Sequence, residues 1–210
     1  EFEFVCGGSG SGGGKARREL MMEFLNHKDP RVRRAMFMAI EKRPDVITRE
    51  VFDLAINSIK SPDEAWSVKD PALQVIGRGQ ADWVVPHVDL LLSYLKHDDW
   101  WLQNAALTAL TPVVADERVY RKVLPPIGEL VRKNQRTALT QGLMGGMRAK
   151  LKAGSPEVQK LAAATLKESY IGYAGVKTAE GGQDVTSTYN AHLGFIAESL
   201  ADVPGGCDML

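Results

Sequence analysis

The sequence predicts an all-α protein, an α-solenoid of about five antiparallel helical hairpins, and three observations carry that prediction. First, Asp29-Pro30-Arg31-Val32-Arg33-Arg34-Ala35 opens an amphipathic helix. Asp29 is a good N-cap, Pro30 suits the first helical position, and Val32, Ala35, Met36, Ala39 and Ile40 recur as one apolar face. Second, the pattern returns in weakened form at Asp70-Pro71-Ala72-Leu73, at Ser155-Pro156-Glu157-Val158 and, without the proline, at Asp99-Trp100-Trp101-Leu102. Third, Val85-Pro86-His87-Val88, followed by Leu91 and Leu92, is echoed 39 residues on by Leu124-Pro125-Pro126-Ile127, followed by Leu130 and Val131. A hairpin of this kind hides its apolar stripe only by packing on its neighbour, so repetition implies stacking.

Taken in order, residues 1–14 read as the tail of a preceding segment and a linker. Glu1 to Val5 alternates charge and aromatic as a short strand does, and Gly7 to Gly14 is flexible Gly/Ser chain. The glycines lack the Gly-Lys-Ser/Thr ending of a phosphate loop. The helical domain spans 15–203. Its first helix runs from about Lys15 to His27 with Leu20, Phe24 and Leu25 inward, and a tight polar turn joins it to the Asp29 helix. Arg43-Pro44-Asp45 ends that pair. Thr48 then caps a helix carrying Val51, Phe52, Ala55, Ile56 and Ile59, and Ser61-Pro62-Asp63-Glu64 leads through Trp66 to a helix capped by Asp70. Gly77 and Gly79 mark its end.

Pro86 and Pro125 each sit inside an apolar stripe at the same phase and predict a repeated bend. The companion helices fall at about 100–115 and 135–152, and the Ser155 helix follows with Leu161, Ala162, Thr165 and Leu166. Gly142, Gly145 and Gly146 allow close approach of a neighbouring helix, with a hinge as the alternative. An irregular loop covers 172–187, a last helix about 188–201 carries Leu193, Ile196, Ala197 and Leu200, and 204–210 is tail.

With 210 residues, 44% hydrophobic and 25% charged, the chain can bury a sizeable core, which excludes wholesale disorder. No apolar run is long enough to span a bilayer. Cys6 and Cys207 lie in the two tails and make neither a disulfide framework nor a metal site. The net charge of zero conceals −6 over residues 61–117 and +8 over residues 118–152. Arg118, Arg121, Lys122, Arg132, Lys133, Arg136, Arg148, Lys150 and Lys152 make up the basic block, in which Tyr120 is the sole aromatic residue. Tracking phosphates is one use for it. A solvated face, partly paired with the acidic segment beside it, is the default.

Catalytic, cofactor and metal sites are not expected. His27 and His97 fall at helix ends just before Asp29 and Asp99, where a cation complements the helix dipole. His87 and Asp89 are two apart and do not share a helix face, and His192 has no acidic neighbour. The tryptophans Trp66, Trp83, Trp100 and Trp101 are concentrated in the acidic stretch. Trp100 and Trp101 point about 100° apart, so both cannot face one core stripe. Packing against a neighbouring repeat is the first reading for the second ring, a protein interface the other.

Paired amphipathic helices, a period near 39, Asp-Pro-x-Val-Arg-x-Ala at the start of a second helix and a proline inside a first helix resemble HEAT repeats over roughly residues 15–170. Second-helix starts spaced 41, 29 and 56 residues apart depart from a regular repeat. The resemblance to this armadillo-like class implies a right-handed superhelix and a non-catalytic scaffold or protein-interaction module within a larger multidomain protein. It places the ligand on the ridge of second helices. The expected partner is a protein, met by Trp100, Trp101, Arg118, Arg121, Lys122, Arg132, Lys133 and Arg136, with nucleic acid or another polyanion on the 118–152 block as the alternative. Trp101-Leu102-Gln103-Asn104-Ala105-Ala106 is also similar to a helix of the HEAT-like alkylpurine DNA glycosylases, which place an Asp four residues after a Trp. Trp66 and Asp70 meet that spacing, and a capping role for Asp70 accounts for it without catalysis. The register further implies that Val32→Asp unfolds the N-terminal hairpins by burying an unpaired charge.

Overall fold

The computed structural model describes residues 11–133 and 146–174, together with positions 194, 197, 198, 201 and 204. All regular structure among the described residues is helical. Two compact units divide the chain, Glu1–Arg78 and Gly79–Leu210.

The first unit holds α1 (Ser11–Leu25), α2 (Pro30–Glu41), a 3₁₀ turn (Pro44–Val46), α3 (Arg49–Lys60) and α4 (Trp66–Ile76). α1 packs on α2, α3 packs on α4, and α2 lies along α4, so two hairpins meet through their second helices. Their stability comes from the apolar faces between them and less from intrinsic propensity. The expected core of α3 is buried in full: Val51, Phe52, Ala55, Ile56 and Ile59. Asp29 and Thr48 cap α2 and α3, accepting from the Arg31 and Val51 N–H groups. α1 starts at Ser11, so Ser11 to Gly14 belong to the helix and not to the expected linker. Extending a formed helix is cheaper than nucleating one, even through glycine.

Two further expectations are corrected here. On α2 the buried residues are Met36, Phe37 and Ile40, whereas Val32, Ala35 and Ala39 are half-buried. The inward face is therefore turned toward Phe37, which is fully buried. Asp70 is not an N-cap. α4 begins four residues earlier at Trp66, with the Ala65 carbonyl accepting from the Val68 and Lys69 N–H groups. Pro71 is the sixth residue of this helix and is buried, so its missing N–H leaves the Ser67 carbonyl without its usual donor. Glu64 explains the earlier start: its Oε1 accepts from the Ala65 N–H at 2.9 Å and fixes the chain just ahead of the helix.

The second unit holds α5 (Ala81–Val84), a 3₁₀ turn (Val85–His87), α6 (Val88–Tyr94), α7 (Trp100–Leu110), a 3₁₀ turn (Thr111–Val113), α8 (Tyr120–Lys133), α9 (Arg148–Lys152) and α10 (Pro156–Ala174). α6 packs on α7 and touches α8, while α10 packs along α8. The partner of α8 among the described residues is thus the Pro156 helix. The expected companion at 135–152 is represented by α9 and the turn before it, and residues 134–145 lie outside the described residues. Val88, Leu91, Ala105, Ala106, Ala109, Leu110, Ile127, Leu130, Val131, Ala162 and Leu166 are buried as the periodicity requires. Pro86 does break its helix, splitting α5 from α6, but α8 continues unbroken through Pro125 and Pro126. Pro125 is again a sixth residue, so the carbonyls it and Pro126 deprive of donors sit on exposed Arg121 and Lys122, within reach of water.

α10 runs to Ala174, which makes the first residues of the expected 172–187 loop helical. The rest of that loop is outside the described residues. So is most of the expected 188–201 helix, of which Gly194, Ala197, Glu198 and Ala201 are helical. Gly146 supports the close-approach reading: a Cβ there would come within 3.2 Å of Thr111 Cγ2 and Oγ1. Gly142 and Gly145 are not among the described residues. Gly154 is tighter still, because a Cβ would lie 2.7 Å from Cγ1 of Val158, itself fully buried. Gly154→Ala is expected to destabilise the second unit by about 1–3 kcal/mol, since neither atom can retreat. A urea melt of the variant checks this, and an unchanged midpoint refutes it.

Candidate functional site

Helix starts in both units share one construction. The Asp29 N–H donates to His27 Nδ1 at 3.1 Å, and the Asp99 N–H donates to His97 Nδ1 at 2.9 Å. Each aspartate then accepts from the N–H two residues on, at Arg31 and Trp101. Four residues past the cap a side chain reaches back to the turn. Arg33 donates to the His27 and Lys28 carbonyls, Gln103 to the His97 carbonyl and Gln159, four past Ser155, to the Lys152 and Gly154 carbonyls. His27 and His97 are therefore acceptors at Nδ1. Both imidazoles thus close the turn that leads into the next helix.

Arg31 folds back on Asp29, with Nη2 2.7 Å from Oδ2. Hydrogen bonds from its side chain and then its backbone hold the Asp29 carboxyl down from 3.8 to about 2. A carboxyl lowered in the folded state adds stability above its unfolded value, lost as pH falls through the folded one. Acidification from about pH 4 to pH 2 is expected to loosen the α1–α2 turn in the wild-type chain. Asp29→Asn should remove that dependence; equal acid sensitivity in hydrogen exchange of the Arg31 amide sinks the assignment.

Arg33 does a second job that the sequence did not disclose. Its Nη2 and Nε lie 2.7 and 2.9 Å from the two oxygens of Glu64, forming a bidentate pair whose side chains are 19% and 7% exposed. One guanidinium thus ties the α1–α2 turn to the segment leading into α4. The 31-residue separation hides this pairing, and only the four-residue spacing from cap to donor is visible in the sequence.

The expected cationic contact residues are largely engaged with neighbours. Arg118 Nη2 lies 2.7 Å from both Asp82 Oδ1 and Asp116 Oδ2 and holds the Asp116 carboxyl below its usual range. Lys122 pairs with Asp89. Arg121 donates to the Tyr120 hydroxyl at 2.8 Å and lies over its ring. Arg132 lines a groove between α8 and α10 together with Glu129 and Glu168. The Lys133 side chain and Arg136 lie outside the described residues. Arg118 and Lys122 are thus paired with acidic residues of their own unit.

The tryptophans behave differently. Trp101 is 52% exposed, Trp100 is half-buried, and the two rings stack 3.7 Å apart at 28°. They occupy the first turn of α7, and in the chain just before it Tyr94, the last residue of α6, stacks with His97. In the first unit Trp66 is 59% exposed at the start of α4, and Met38 is exposed on α2. Tryptophan is among the residues enriched in the anchors of docking surfaces. Asp70, now inside α4, lines a groove with Arg34, Met38, Glu41, Pro71 and Gln74. Among the described residues no group of three or more His, Cys, Asp or Glu side chains is placed to hold a metal. No described helix is long and apolar enough to cross a membrane.

No protein-family model matches the chain, and no curated protein or solved structure matches it.

Proposed function

We propose that the chain is a non-catalytic HEAT-type scaffold, a right-handed solenoid of helical hairpins that docks a protein partner through exposed tryptophans. The carrying observation is the stacked Trp100–Trp101 pair with its outer ring half in solvent. The turn closure shared by α2, α7 and α10 supports a repeating hairpin, because the same side-chain device recurs at the start of these three helices, although not at α4. Nucleic-acid binding through the 118–152 block is disfavoured by the acidic partners of Arg118 and Lys122.

Trp101→Ala tests the reading, since it removes surface and little core. Affinity capture from the native cell extract should recover a protein that the variant loses by tenfold or more, the size of effect a central aromatic contact has, roughly 1.4–4 kcal/mol. The melting temperature should stay unchanged. Undiminished capture by the variant ends the proposal. Fluorescence anisotropy with duplex and single-stranded DNA and RNA should show no binding at about 0.15 M salt, and a steep salt-dependent signal would favour the polyanion alternative.

A further inference from the structure

The two hairpins of the first unit are fastened unequally. α2 and α4 pack along each other, and Phe37, Leu73 and Ile76 on them are fully buried. The buried Arg33–Glu64 pair adds a second tie on the same side, from the turn ahead of α2 to the segment ahead of α4. No comparable packing joins α1 to α3. Between those two helices lies a groove of 550 Å³, lined by Met22 and Asn26 from α1 and by Leu54 and Asn57 from α3. An ion pair crosses it: Arg18 Nη2 lies 2.7 Å from Glu50 Oε2, with the two side chains 60% and 52% exposed.

The two sides therefore resist separation to different degrees. Parting α2 from α4 would bring apolar side chains into water and strand the charges of Arg33 and Glu64. Widening the groove uncovers far less, since Asn26 and Asn57 are already exposed and Met22 and Leu54 are half-buried. The exposed Arg18–Glu50 pair is weak and is screened by salt, whereas the buried pair at the seam is screened much less. A rigid-body rotation that keeps the packed edge and varies the loose one is the cheapest motion open to two such hairpins.

We propose that the first unit is a salt-sensitive hinge. The hairpins rock about the α2–α4 seam, the gap between α1 and α3 opens and closes, and Arg18–Glu50 is the strap that favours the closed form. The hinge stands whether or not the tryptophans dock a partner.

Electron paramagnetic resonance on the whole chain, carrying Cys6→Ser and Cys207→Ser, tests it with two pairs of spin labels. Glu23→Cys and Lys60→Cys, at exposed positions of α1 and α3, report on the loose side, and Met38→Cys with Gln74→Cys reports on the seam. Raising the salt from about 0.01 M to about 1 M should move the first pair from short to long distances. The ratio of the two populations should change about two- to fivefold, which is what an exposed ion pair commands. Arg18→Gln should give the long distances already at low salt and remove most of the further response. Arg18→Glu combined with Glu50→Arg should restore both the short distances and the salt response. The seam distances should stay fixed throughout. A first pair that ignores both salt and Arg18→Gln overturns the hinge, and a charge swap that restores nothing overturns the strap. A seam distribution that broadens in step with the first pair also overturns the proposal, because the unit then loosens as a whole.

Discussion

Arg33→Ala is expected to cost the first unit about 3 kcal/mol, the lower end of the roughly 3–5 kcal/mol for stripping one member from a buried ion pair. The lower end applies because the Arg33 side chain keeps 19% of its surface in solvent. Glu64, at 7% exposure, keeps the Ala65 N–H as a donor but loses the guanidinium, and the His27 and Lys28 carbonyls lose their Arg33 donor. The damage should reach both hairpins, because the guanidinium joins the α1–α2 turn to the start of α4. Replacing both partners by apolar residues, Arg33→Met with Glu64→Leu, should be less harmful than the single change, since no charge is then stranded. Urea denaturation of the four members of the cycle decides it. A double variant as unstable as the sum of its singles means the pair is not coupled.

Phe37→Ala is expected to cost about 3–5 kcal/mol, the range for removing a fully buried phenylalanine. Val32→Asp, which the apolar spacing alone marks as lethal to this unit, should cost far less. Val32 is half-buried and third in α2, where a carboxylate is favoured by the free N–H groups of the first turn. Thermal melts of the two variants side by side check the ranking. If Val32→Asp unfolds the unit while Phe37→Ala does not, the inward face of α2 has been misplaced by one residue.

That contrast shows which physics is legible in a sequence. Caps at Asp29, Thr48, Asp99 and Ser155 were readable because a cap is settled by a residue and the next turn of chain. The α3 core was readable because five apolar residues agree on one face. Phe37 was missed because both it and Val32 fit an amphipathic helix, and the choice depends on what α4 presents across the gap. The start of α4 was misread for a related reason. Asp70-Pro71 has the local form of a helix opening, but Glu64, held by Arg33, begins the helix a turn earlier. The angle between Trp100 and Trp101 marks one of the two rings as lying off the core stripe, whereas which of them is exposed depends on the packing around the first turn of α7.

The turns ahead of α2, α7 and α10 are fastened by side chains that belong to the helices following them. During synthesis, such a corner cannot latch when its own residues emerge from the ribosome. It waits for four more residues past the cap to leave the tunnel and begin to coil. Each bend is thus set by what comes after it, and the order of assembly is written into the chain from amino to carboxyl end.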